Sequence, residues 1–97
     1  MLNIDDLLKL LRFKGFKDTL QILNKFEGYK CEMRTFYKEL NMFSYYNSFF
    51  RVKDELLQKR IIKIERRDKK KTIGLTTKGI EIYNKLLELN DVLNENN

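Results

Sequence analysis

A mainly α-helical domain with one small β-hairpin is the fold class that this chain predicts. Three observations carry it. Apolar residues recur at helical spacing over residues 4–56, the period drops to 2 beyond Arg60, and helical spacing returns after Thr76. The 97 residues are 42% hydrophobic and include seven Phe and five Tyr, enough for one core in one domain, residues 1–97. No internal repeat or linker divides them.

The first helix is expected to start at Asn3-Ile4-Asp5-Asp6, with Asn3 as its cap and two acids near the positive end of the helix dipole. Ile4, Leu7, Leu8 and Leu11 carry it to about Arg12, and Gly15 predicts a break. Phe16, Thr19, Leu20, Leu23 and Phe26 mark a second helix that Gly28 ends. Met33, Phe36, Tyr37 and Leu40 mark a short third. Asn41-Met42-Phe43 predicts a three-residue turn, after which Ser44 can cap a fourth helix. There Tyr45, Phe49, Val52 and Leu56 share a buried face, while Tyr46, Asn47, Arg51 and Asp54 turn outward or sideways. Phe50 fits either the core or the outer surface. Two short helices joined by a tight turn, about residues 33–58, make a helix-turn-helix geometry.

Ile62 and Ile64 alternate with Lys63 and Glu65, and Ile73 and Leu75 with Thr72, Gly74 and Thr76. This predicts a hairpin over about residues 61–76, tipped by Arg66-Arg67-Asp68-Lys69-Lys70-Lys71, without an Asn-Gly turn signature. Thr76 or Thr77 starts a last helix over about residues 77–94. Ile80, Tyr83 and Leu87 can face the domain, while Ile82, Leu86 and Leu89, with Val92 or Leu93, form a second, heptad-like row. A helix apolar on two sides needs two partners. A homodimer interface through Ile82, Leu86, Leu89 and Leu93 is therefore expected, the alternative being that Ile82, Leu86 and Leu89 pack on the first helix.

The charge is localised. Residues 44–71 hold ten Lys or Arg against four Asp or Glu, a net of +6 that equals the excess of the whole chain. A helix followed by a hairpin with this charge suggests a footprint for a polyanion, and duplex DNA is the one expected. The basic run Lys69-Lys70-Lys71 taken alone reads equally well as a solvated turn. Enzymatic chemistry is not expected, and no catalytic residues are assigned. The chain has no His, Cys31 is its one cysteine, and Gly15, Gly28, Gly74 and Gly79 stand apart rather than forming a phosphate loop. No metal, cofactor or small-molecule effector is implied. No apolar run reaches the roughly 20 residues of a membrane span, and residues 1–9 lack signal-peptide character, so a cytoplasmic location is expected.

The order of elements resembles the winged helix-turn-helix superfamily, nearest to MarR- and PadR-like regulators and small archaeal winged-helix proteins. The run Phe49-Phe50-Arg51-Val52-Lys53-Asp54-Glu55-Leu56-Leu57-Gln58-Lys59-Arg60-Ile61-Ile62 looks like that group's recognition helix leading into the first wing strand. Leu75-Thr76-Thr77-Lys78-Gly79 looks like its passage from second wing strand to last helix. Arg60 departs from the pattern, since the group usually has Gly where the chain turns left-handed. The resemblance implies a DNA-binding transcriptional regulator with residues 44–53 in the major groove. Asn47 and Arg51 would contact base edges or phosphate. Tyr46 and Ser48 would donate to phosphate, and Phe50 would touch a thymine methyl. Asn47 and Ser48 also fit a plain capping and solvating role. Ser44 and Lys53 complete the helix's set, and Arg66, Arg67, Lys69, Lys70 and Lys71 would set the wing on the backbone or in a minor groove. Winged-helix folds also serve as protein-protein modules without DNA readout, which is the rival expectation.

Overall fold

The computed structural model describes residues 4–43 and 47–95. Among them are five α-helices and a three-stranded antiparallel sheet: α1 (Asp5–Leu11), α2 (Lys14–Asn24), β1 (Lys30–Glu32), α3 (Met33–Phe43), α4 (Asn47–Gln58), β2 (Ile62–Arg67), β3 (Lys70–Leu75) and α5 (Thr77–Leu93). Asn3, Ser44, Tyr45 and Tyr46, expected as cap, cap, core and phosphate contact, lie outside the described residues.

The helices follow the apolar spacing with four corrections, the first being that α1 buries Leu10 while Ile4, Leu8 and Leu11 of its expected apolar row are 62%, 46% and 47% exposed. The break between α1 and α2 falls at Arg12-Phe13, and Gly15 lies inside the first turn of α2. Its role is close packing: a Cβ at Gly15 would stand 2.1 Å from the Ser48 carbonyl oxygen, so the missing side chain lets α4 rest on α2. Helix α2 ends at Asn24 rather than at Gly28, which takes φ 72 in a single 3-10 turn, Glu27–Tyr29. Finally, Asn41, Met42 and Phe43 form the last turn of α3 rather than a connecting turn.

Strand order is β1-β3-β2, with Cys31 opposite Ile73 on one side of β3 and Ile64 opposite Ile73 on the other. Strand β1 was not anticipated, and it pairs along the free edge of β3. The hairpin exists as predicted, but its tip is shorter: Arg67 pairs with Lys70, so only Asp68 and Lys69 turn, Asp68 at φ 59. Most of the basic run is therefore strand.

Phe16, Leu20, Leu23, Phe36, Leu40, Phe49, Val52, Leu56, Ile61, Ile62 and Ile73 are at most 2% exposed and form one core between the helices and the inner face of the sheet. Each large side chain so buried contributes about 1.5–3 kcal/mol. The passage from α4 to the hairpin is locked. The Ile61 amide donates to the Leu56 carbonyl at 2.9 Å and the Arg60 amide to the Leu57 carbonyl at 3.1 Å. These paired bonds make a Schellman ending, with Arg60 left-handed at φ 58 where glycine is usual. Thr76 then ties α5 to the same corner. Its hydroxyl donates to the Arg60 carbonyl at 2.5 Å and accepts from the Gly79 amide at 3.0 Å as the cap of α5. A Cβ at Gly79 would meet the Ile61 carbonyl oxygen at 2.2 Å, so this corner closes only around a glycine.

Candidate nucleic-acid interface

Helix α4 is held from beneath and open above. Phe49, Val52 and Leu56 are buried, whereas Asn47, Phe50, Arg51 and Asp54 are exposed. Phe50, for which the sequence allowed either placement, is 46% exposed. Ser48, half-buried, supplies the carbonyl that faces Gly15. Rings from α3 fix the orientation of α4. Phe36 meets Phe49 edge-on at 4.9 Å between centroids, and Tyr37 lies 6.3 Å from Phe49 and 6.1 Å from Phe50. The half-buried Lys53 holds its Nζ 5.7 Å from the Phe50 ring centre, a cation–π contact that places a positive charge beside the exposed ring. Burial pushes the Tyr37 hydroxyl's pKa up.

The hairpin residues Arg66, Arg67, Lys69, Lys70 and Lys71 are all exposed. Two lysines of the sheet are already engaged: Lys70 Nζ is 3.5 Å from Glu32 Oε1 and Lys63 Nζ is 3.6 Å from Glu65 Oε1. Both pairs are solvent-screened and worth under about 1 kcal/mol. Among the described residues no ion pair holds Arg66, Arg67, Lys69 or Lys71.

Register sorts the sheet into two faces. Ile62, Ile64, Ile73 and Leu75 point to the core, and the alternate residues Lys63, Glu65 and Arg67 of β2 and Lys70, Thr72 and Gly74 of β3 lie on the outer face. Strand β1 adds Lys30 opposite Gly74 and Glu32 opposite Thr72. A depression of about 280 Å³ opens there, lined by Lys30, Glu65, Arg66, Arg67 and Thr72. Lys30 and the ring of Tyr37 beside Phe50 were missed in the sequence, because no local period marks a three-residue strand or a ring contact between helices, and Thr72 was read only as a strand position of the hairpin. Cys31, on the inner face, has its thiol pKa pushed up to about 11 by burial and by the nearby Glu39 and Glu32 carboxylates. Such a thiol is about a thousandth ionised at pH 8, the reverse of a reactive cysteine.

The expected dimer row divides along the length of α5. Ile80, Ile82, Tyr83 and Leu86 are half-buried against the core, while Leu87, Leu89, Val92 and Leu93 are exposed. Leu87, expected to face the domain, is 47% exposed on the rim of an open groove of about 270 Å³ that Leu11, Phe16, Leu20, Tyr83 and Leu86 also line. The helix thus outruns its domain in its last two turns. No helix of the described residues is long and apolar enough to cross a membrane. No family model matches the chain, and neither a curated protein nor a solved structure is significantly similar to it.

Proposed function

We propose that this chain is a winged helix-turn-helix protein that binds duplex DNA, a cytoplasmic transcriptional regulator in which α4 enters the major groove and the β2-β3 hairpin is the wing. One observation carries the reading. The helix with a fully buried apolar side offers Asn47, Phe50 and Arg51 to solvent, and a hairpin with unpaired cations follows it through a rigid corner. Asn47 and Arg51 suit base edges, since an amide pairs with adenine and a guanidinium with guanine in the major groove. Phe50 suits a thymine methyl, and Arg66, Arg67, Lys69 and Lys71 suit phosphates. In a homodimer joined through α5, two recognition helices would meet half-sites about 10 base pairs apart.

Binding to nonspecific duplex, measured against salt, tests the reading. Affinity is expected to fall steeply, and Lys69→Ala with Lys71→Ala to flatten the log-log slope by about 2, since each phosphate contact contributes roughly 0.9. A wild-type affinity indifferent to salt would favour the protein-protein module instead. On a selected cognate site, Arg51→Ala or Asn47→Ala is expected to cost about 1–3 kcal/mol, with a smaller loss on random DNA. Equal losses on both would mean that neither residue reads sequence.

A further inference from the structure

We infer that the depression on the outer face of the sheet, bounded by Lys30, Arg66 and Arg67 and backed by Thr72, holds a phosphodiester of the bound duplex. The inference rests on the DNA-binding reading and extends it to strand β1, which lies outside both the helix and the wing.

The site arises from strand register. Gly74 lies between Lys30 on β1 and Lys63 on β2, so the central strand offers no side chain between two lysines. Lys30 crowds that gap: a Cβ on Gly74 would stand 2.8 Å from the Lys30 Cβ and 3.3 Å from the Tyr29 carbonyl oxygen. Two residue pairs further along, on the same face, Thr72 lies between Glu32 and Glu65, and beyond it Arg67 pairs with Lys70. Arg66, from the opposite face of the edge strand β2, also lines the hollow.

The charges there are unevenly committed. Glu65 is turned to Lys63, at 3.6 Å, and Glu32 to Lys70, at 3.5 Å, so each acid of the outer face already has a cation. Lys30, Arg66 and Arg67 have none among the described residues. Three unpaired cations and one hydroxyl donor around a hollow match the acceptors of a phosphate, and arginine forks suit its oxygens best. Four of the five lining residues are exposed, so a segment of an extended polyanion can enter without threading. The unpaired Arg67 belongs both to this hollow and to the hairpin end, which makes the hollow continuous with the wing.

The test compares the salt dependence of duplex binding for the wild type, Lys30→Gln, Lys30→Ala and, as a control, Lys85→Gln on α5, an exposed lysine of another element. Both Lys30 variants are expected to flatten the log-log slope by about 1 and the control to leave it unchanged. Ethylation interference on the same duplex is expected to lose one sensitive phosphate with Lys30→Gln. A steep wild-type slope that neither Lys30 variant alters, or that Lys85→Gln alters equally, overturns this site while leaving the DNA-binding reading standing. A wild type without salt-dependent affinity overturns the reading itself, and the site with it. Thermal melting of each variant shows that the fold is intact, and Lys30→Gln retains the side-chain stem should Lys30→Ala lower stability.

Discussion

Arg60 holds φ 58 at the end of α4, where its amide and that of Ile61 close the helix on Leu57 and Leu56. A left-handed conformation costs a residue with a Cβ roughly 1–2 kcal/mol, and glycine avoids that cost while losing somewhat more backbone entropy on folding. Arg60→Gly is therefore expected to stabilise the protein by up to about 1 kcal/mol in urea unfolding. A lower midpoint would show that the arginine side chain contributes more than its backbone costs. The sequence showed where this residue departs from the pattern it otherwise resembles, and the Schellman bonds show how α4 ends there without a glycine. Thr76 illustrates the complementary case. Its hydroxyl caps α5 and reaches back to Arg60, so one side chain joins two elements that are adjacent only in the folded chain.

Among the elements, α2 and α4 meet most closely at Gly15. A methyl there would collide with the Ser48 carbonyl oxygen at 2.1 Å, a backbone atom that cannot step aside without moving the start of α4. Gly15→Ala is expected to destabilise by about 1–3 kcal/mol, the usual cost of overpacking, and calorimetry would show a lowered Tm. An unchanged Tm would mean that α4 is free to slide on α2. In sequence Gly15 reads as a helix breaker, because a single glycine between two apolar-periodic stretches carries the same local signal whether it interrupts a helix or admits another. Strand β1 was illegible for a related reason: three residues hold no period, and their pairing partner β3 lies some forty positions away. The hairpin was legible, since alternation persisted on both strands.

At the scale of the molecule, the described residues extend 51 × 30 × 25 Å, and the last two turns of α5 carry Leu87, Leu89, Val92 and Leu93 into solvent. Leu89, Val92 and Leu93 lie on one side of the helix, the side that the proposed homodimer would cover. The proposed homodimer is tested best beyond the domain's own core: Leu86 is half-buried within it, whereas Leu89 is 57% and Leu93 80% exposed. Leu89→Glu with Leu93→Glu is expected to halve the sedimenting mass while leaving the melting temperature of the domain nearly unchanged. A mass that does not change would remove this end of α5 from any interface. Charge is also a whole-molecule property, because the excess of +6 resides in residues 44–71 while the rest of the chain is balanced.

Periodicity and composition, which need no tertiary contact, determined the helical stretches, the hairpin, the core side of α4 and the location of the positive charge. Only the folded chain decided which cations are already paired, as Lys70 is with Glu32, that β1 joins the sheet and adds Lys30 to the depression that Arg67 also lines, and where α5 leaves the domain. The physical reason is range. A hydrophobic repeat is set by neighbours three or four residues apart, whereas charge pairing, strand addition and the close approach of backbones depend on groups that meet only when distant parts of the chain are brought together.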